Sequence, residues 1–526
     1  MNTNRIAVAG CGGCPISRRG FLAGCAACAG AGLAMTPMRA GAQAPAAGPA
    51  GKAKVRLVFT TVPNNRPIWP NIGYDFEKRK KQILDVLLPG CPKVAFEVAE
   101  VQKADQAVKL LKDDEAKGFD GYLVFMLGLW TRAPQAIAAA GKPTLFVDDL
   151  YGGSGEFLIA NAAARRNPKM KVACVSSARL EDAVEAAKCF ALLKQGKSAD
   201  EFVAAVTAVR RKATPACGEM ACKEDKLPKI DIAQTLEKAR KMTLLTVGGG
   251  WGMPKIAEAA KETLGITVLP IKFPEVHAAF EKADAGQVEQ WTDTWTKAAA
   301  KIVEPKADDI RSAARMYLAM REVMKARGAC GITINCLGGF YGGHIKGYPC
   351  LGFTQLNDEG LVGACEADIT SSLTMMTIGA MTGRPGYISD PVIDTSKNQI
   401  IYAHCVGPTK VFGPSGPSNP AHIRSHSEDR QGACLRALLP LGYMTTTLEI
   451  QVQRKEIVLH QGKAVENVDE DKACRTKLAC EVKGDIEKLF NEWDRWGWHR
   501  VTFYGDLKAP VQELAKAIGF TIIEEA

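Results

Sequence analysis

Short apolar runs alternate with amphipathic stretches along the first half of this chain, and that alternation narrows the fold more than any other feature. Val55–Thr60, Val94–Val98, Gly121–Met126 and Pro143–Val147 read as buried strands. Tyr74–Leu88, Ala104–Lys117 and Ala133–Ala140 read as helices between them. Strands separated by helices do not close as hairpins; they build a parallel sheet covered on both faces. Lys171–Ser176 and the helix-rich stretch to Lys241 continue the pattern, so residues 53–241 are assigned to an N-terminal α/β domain.

A second unit of the same class starts with the strand Met242–Val247 and the turn Gly248-Gly249-Gly250-Trp251-Gly252, and Pro254 is well placed to open a helix. Such a turn can hold an anion at the helix N-terminus. The full dinucleotide fingerprint is missing, and no acid closes the next strand, Ile266–Ile271, so a tight turn or ligand-facing loop is expected. A polar helical region, Pro274–Arg327, leads to the strand Gly331–Asn335, and residues 242–385 make the central α/β domain. From Gln399 the pattern changes: Ile400–Val406, Ala433–Leu439, Thr445–Val452 and Glu456–His460 follow one another with few helices between. This predicts a mostly antiparallel β domain over residues 386–526. The chain then closes on strand Arg500–Tyr504, helix Pro510–Ile518 and strand Thr521–Glu524. The expected fold is α/β: two Rossmann-like parallel-sheet αβα domains, then a barrel-like C-terminal β domain.

Ahead of these units, Ser17-Arg18-Arg19-Gly20-Phe21-Leu22 and the uncharged run to Met38 read as a twin-arginine (Tat) export signal. Ala42-Gln43-Ala44 fits a small-residue cleavage site, giving a signal peptide over 1–44 and a linker over 45–52. The expectation is a periplasmic protein that meets the Tat translocase already folded, with any metal loaded beforehand. Cys11-x-x-Cys14 and Cys25-x-x-Cys28 imitate a zinc ribbon but fall inside the leader. Of the cysteines beyond it, Cys174, Cys405 and Cys434 sit in apolar strand-like runs and read as buried free thiols; Cys217 and Cys222 flank a short loop that a disulfide could close. The net charge of +10 is spread without a Lys/Arg block, which does not suggest nucleic-acid binding.

Isolated acids in apolar, glycine-rich surroundings mark residues 331–405. Acids are rarely buried without a partner. Glu366 opens an uncharged helical stretch, Ile369–Met381, where an acid can be a simple cap; Asp390 could cap a turn before Pro391. His499, crowded by Trp493, Trp496 and Trp498, reads as a packed core histidine or as a metal ligand. His404, at a strand end, is a candidate substrate contact or replacement ligand, and Asn335, also at a strand end, is assigned to substrate binding. The Gly/Pro/Ser-rich stretch Gly413–Gly432, with His422, Arg424 and His426, reads as a lid or as a plain surface loop. Asp148-Asp149 end a strand before Tyr151–Gly155, where open α/β sheets place ligands.

Three elements in order, Cys365-Glu366-x-Asp368, then Thr382-Gly383-x-Pro385 with Asp390, then His499-Arg-Val-Thr-Phe-Tyr504-Gly505-Asp506, resemble the L-fucose isomerase family of the fucose/arabinose isomerase-like group. The resemblance covers residues 240–526. It implies that Glu366, Asp390 and His499 bind one divalent metal, typically Mn²⁺, and that Glu366 and Asp390 form an acid/base pair. It also implies a homo-oligomer with sites between subunits. Aldose–ketose isomerisation moves a proton between adjacent carbons through an ene-diol, which two carboxylates can shuttle, while a divalent ion stabilises the enediolate charge. The expected function is an exported, metal-dependent enzyme acting on a monosaccharide or sugar derivative, most simply an aldose–ketose isomerase. The alternatives are a periplasmic carbohydrate-binding protein without the chemistry, and an epimerase or lyase using the same site. The family's familiar members are cytoplasmic, so the export signal is a departure.

Overall fold

The structure is a computed structural model that describes residues 51–250 and 252–526. The export signal, most of the linker and both Cys-x-x-Cys pairs lie outside the described residues. The first sheet contains β1 (Ala53–Thr60), β2 (Val94–Val101), β3 (Gly121–Met126), β4 (Thr144–Asp148) and β5 (Val172–Ser176). Its order is β2-β1-β3-β4-β5 and every pairing is parallel. Each residue of β3, β4 and β5 is buried, as expected for strands with helices on both faces.

The second sheet follows after an irregular stretch and the helix Ile232–Ala239. It comprises β6 (Thr243–Val247) and β7 (Thr267–Ile271), then, past the two-residue β8 (Lys301–Ile302), β9 (Gly331–Ile334) and β10 (Val362–Cys365). The order β10-β9-β6-β7 is again wholly parallel. Gly248, Gly249 and Gly252 in the turn after β6 all have positive φ, a conformation that a side chain would resist.

The remainder is a closed barrel. Its strands are β11 (Tyr387–Asp394), β12 (Gln399–His404), β15 (Met444–Gln451), β16 (Glu456–Asn467), β17 (Thr476–Lys483) and β18 (Arg500–Tyr504). Between them, β13 (Ala421–Arg424) and β14 (Cys434–Ala437) join β8 in a small separate sheet. The ring β15-β18-β11-β12-β17-β16 closes because β16 also pairs with β15, and all six pairings are antiparallel. Closure removes free edges within the ring. The last strand, β19 (Thr521–Glu524), adds in parallel to the outside of β16.

The stretch Gly413–Gly432 contains β13 rather than loop alone. β11 and β17 carry no simple alternation because most of their residues are buried, including Asp390, Asp394 and Lys477. All thirteen cysteines among the described residues are free thiols, Cys217 and Cys222 included. No helix among the described residues is long and apolar enough to cross a membrane.

Candidate active site

The C-terminal end of β10 delivers the first acid. Glu366 follows Cys365 with φ of +64°, and Ala367 has φ of +51°. Two consecutive non-glycine residues in this region store strain, which is found where a side chain must be aimed. The turn sends Glu366 into a cavity of about 560 Å³ and leaves its side chain 32% exposed there. Helix Ile369–Thr382 then begins with Asp368 as its cap, Oδ1 accepting from Ser371 N at 3.0 Å. The cap is therefore Asp368, two residues after the acid first read as opening the helix.

The barrel supplies the facing groups. Asp390 comes from β11, His404 from the end of β12, Glu449 from β15, and His499 from the residue before β18. His499 Nε2 lies 3.2 Å from Asp390 Oδ1 and 3.7 Å from Glu366 Oε2. Its Nδ1 is 2.9 Å from Asp368 Oδ2, so the ring is oriented by the same carboxylate that caps the helix. His404 Nε2 is 3.8 Å from Glu366 Oε1. Trp498 Nε1 donates to Asp390 Oδ1, and its ring packs, tilted by 43° with centroids 4.6 Å apart, against Trp130 from the N-terminal sheet's loops.

Glu366, His404 and His499 each present a ligand atom within 4.8 Å of the other two. Both ring nitrogens of His404 and the Nε2 of His499 are buried without a hydrogen-bond partner. Buried imidazole nitrogens left unpaired between carboxylates fit a divalent metal, for which imidazole and carboxylate are ordinary ligands. Asp390 stands beside this trio through its contact with His499.

Burial, with Asp390 close by, pushes the Glu366 carboxyl above the usual range although His499 and His404 pull the other way. For Asp368 burial raises, but the hydrogen bond and charge of His499 prevail and hold the carboxyl low. Burial pushes Glu449 well up, aided by Asp368; its carboxyl lies 3.2 Å from the Ser371 hydroxyl, which donates to Asp368 Oδ2 at 2.7 Å. Glu428 is likewise pushed by burial up to about 8. Neighbouring acids held at such different acidities are a recurrent mark of proton-transfer sites.

Glu366, Asp390, His404 and His499 thus line one cavity, whereas Asn335 is not among its lining residues. Asn335 caps the helix Cys336–Tyr341, its Oδ1 accepting from Gly338 N at 3.1 Å. His426, from the expected lid, does line the cavity and bonds Asp429 at 3.1 Å. Asp148 and Asp149 face a different cavity with Arg79 and Lys472. Glu428 and Glu449 were not singled out in sequence, because nothing in their local context separates them from surface acids. Five acidic side chains and three imidazoles line the cavity, with no Lys or Arg in its lining among the described residues.

No protein-family model matches the chain. Among curated proteins the chain is similar to a sulfoquinovose isomerase of Clostridium sp. (strain MSTE9), 26% identical over 281 residues, which are 51% of this chain and 60% of that relative. It is also similar to the sulfoquinovose isomerase of Priestia aryabhattai, at 22% over 235 residues, 43% of this chain and 51% of the relative. A third, from Alkalicoccus urumqiensis, is 26% identical over 135 residues, 25% of this chain and 30% of the relative. The matches thus span 60% or less of each of these relatives.

Proposed function

We propose that this chain is an exported, divalent-metal-dependent aldose–ketose isomerase acting on a monosaccharide or sugar derivative. The observation that carries the reading is the trio Glu366, His404 and His499, with unpaired imidazole nitrogens turned toward two acids in a closed-in cavity. The likeness to curated isomerases of a sugar supports the reaction class.

Glu366, His404 and His499 would hold the ion, Mn²⁺ being the favoured one, with Asp390 beside them. The bound ion supplies charge stabilisation for an enediolate and orients adjacent sugar oxygens. Glu366, turned into the cavity, takes the proton from one carbon, and Asp390 returns it at the neighbouring position. Trp498 fixes Asp390 through its indole N–H. Trp69, Leu129 and Trp130 form an apolar wall that shields the exchange from water.

The test is a panel of neutral aldoses and sulfoquinovose, assayed after chelation and after adding Mn²⁺. Metal-dependent interconversion of one of these aldoses and its ketose is expected, with Glu366→Gln retaining the fold and losing about 10²- to 10⁴-fold in turnover. Sugar binding that survives chelation, with no turnover of any sugar, would show a binding protein instead. Export is tested separately: replacing Arg18 and Arg19 by Lys should retain the chain in the cytoplasm, and unchanged secretion would refute the leader.

A further inference from the structure

Residues 493–499 carry much of the cavity wall without belonging to a sheet. Trp496, Gly497, Trp498 and His499 all line the cavity, and the chain reaches them through one short turn, Trp493–Trp496, and a Gly497 φ of +92°. Backbone this irregular inside a packed protein has to find donors among side chains. Arg500, fully buried, supplies them. Its Nη1 donates to His499 O at 2.9 Å and, more loosely, to Trp496 O at 3.3 Å and Gly497 O at 3.4 Å; its Nη2 donates to Trp493 O at 3.1 Å. The guanidinium lies 4.2 Å over the Trp493 ring, whose Nε1 donates to Trp498 O at 3.0 Å. One side chain thus holds the backbone around the indole that meets Asp390 and at the imidazole that faces Glu366.

A carboxylate occupies the other edge of the guanidinium. Glu525, directly after β19, accepts from Arg500 Nε at 3.2 Å and from Nη2 at 3.1 Å. Its Oε1 also meets His460 Nδ1 at 2.8 Å, and His460 Nε2 meets the Tyr402 hydroxyl at 2.5 Å. All four side chains are buried, and they are not among the cavity's lining residues. Tyr402 stands on β12 two residues before His404, so the phenol and that imidazole leave the strand on the same face. A hydrogen-bonded chain therefore runs from Tyr402 through His460 and Glu525 to Arg500, from the strand of one imidazole to the backbone carbonyl of the other.

The arrangement calls for a guanidinium. Arginine presents its N–H donors as a rigid planar fork, with enough of them for carbonyls on one edge and a carboxylate on the other, whereas a lysine ammonium donates from a single point. Replacing a buried ion pair by apolar residues of similar volume is often neutral or stabilising, so stability alone does not account for this one. Its directional bonds are what apolar packing could not reproduce. We propose that Arg500, held by Glu525 and His460, is a positioning residue for the candidate active site, fixing the His499 imidazole toward Glu366 and the Trp498 indole toward Asp390. The role of His499 as a ligand rests on the isomerase reading; the placement of Trp498 rests on the hydrogen bonds alone.

The test compares Arg500→Lys and Glu525→Gln with Asp114→Asn, which loosens a comparably buried pair with Arg56 on the first sheet. Mn²⁺ uptake is read by electron paramagnetic resonance. Trp498 is read by fluorine NMR of metal-free protein labelled with fluorotryptophan, its signal assigned from Trp498→Phe. Arg500→Lys and Glu525→Gln should bind Mn²⁺ about 10- to 100-fold more weakly and displace or broaden the Trp498 signal. Asp114→Asn should lower the urea midpoint and leave both readings at their wild-type values. Wild-type Mn²⁺ affinity with an unmoved Trp498 signal in both test variants overturns the proposal, and so do equal losses in Asp114→Asn, which would mark them as general loosening. Should one test variant fail to fold, the other decides. Wild-type protein that takes up no Mn²⁺ would sink the metal-dependent isomerase reading, and the Trp498 signal would then decide the positioning role by itself.

Discussion

Gly155 shows how much one missing side chain contributes. A Cβ built on it would lie 1.5 Å from Cη2 of Trp498, so the indole occupies the space that the glycine leaves. Because Trp498 fixes Asp390, Gly155→Ala should shift that acid while leaving helix Ser154–Arg165 intact. The expected outcome is a fall in kcat/KM on the order of a hundredfold, with the circular dichroism spectrum unchanged; full activity would show that Trp498 does not position Asp390. Asp148 is a residue-scale case of a different kind. Burial pushes its carboxyl up to about 7, against hydrogen bonds from Ser154 and Ser176, and its Oδ1 has no partner. Its unfolded value is about 3.9. The folded state therefore prefers the protonated form, so the associated stability is complete below the unfolded value and drains away until pH passes about 7. Asp148→Asn keeps a neutral group in place. Its stability relative to wild type should rise by roughly 2–3 kcal/mol between pH 5 and pH 8, read by urea unfolding at both. An unchanged difference at the two pH values would remove Asp148 as the source.

At the scale of elements, the loops and ends carry the site, and this is where sequence and structure part. Strands β18 and β19 have the bounds read from sequence, because each is a short apolar run between turn residues. β11 and β17 escaped notice because barrel closure buries both of their faces and their polar residues do not alternate. The acid Glu366 and the histidines His404 and His499 were legible because acids and imidazoles are conspicuous in apolar runs. The arrival of Glu428 and Glu449 on the same cavity wall was not, since they come from distant points of the chain and no close spacing announces it. A similar long-range tie holds the irregular stretch between helices Ala199–Ala213 and Ile232–Ala239. Arg384, after helix Ile369–Thr382, reaches Asp225 at 2.5 and 2.8 Å and donates to Tyr504 O at 3.0 Å and Lys226 O at 3.2 Å. Removing one member of a buried, bidentate pair leaves an uncompensated charge, at a cost of about 3–5 kcal/mol. Arg384→Ala should therefore release residues 214–231 before anything else unfolds. Limited proteolysis should cut the variant there first; cleavage at wild-type rates would mean that the backbone bond from Lys223 N to Gly442 O suffices.

The whole molecule is joined across its sheets by buried polar contacts as well as apolar packing. Ser176, at the end of β5, donates to Ile393 O at 2.6 Å, and Thr395 returns a bond to Ser176 O at 2.9 Å. Arg210, in helix Ala199–Ala213, holds Glu487 beside the barrel with bonds of 2.8 and 2.5 Å, and both side chains are within 5% of full burial. The same guanidinium donates to Cys174 O at 2.6 Å, so one side chain spans the N-terminal sheet and the barrel. The cavity depends on this junction: Trp130 comes from one side of it and Trp498 from the other. Glu487→Ala strands the Arg210 charge in a dry interface and should cost about 3–5 kcal/mol. If the sheets unfold as one unit, the variant keeps a single denaturant transition at a lower midpoint with an unchanged slope. If the junction is instead a separable interface, the transition splits, and turnover disappears with its first phase while barrel signals persist. Following Trp fluorescence, far-ultraviolet circular dichroism and activity over one urea titration separates these outcomes, and coincident curves identify the cavity as a property of the whole fold.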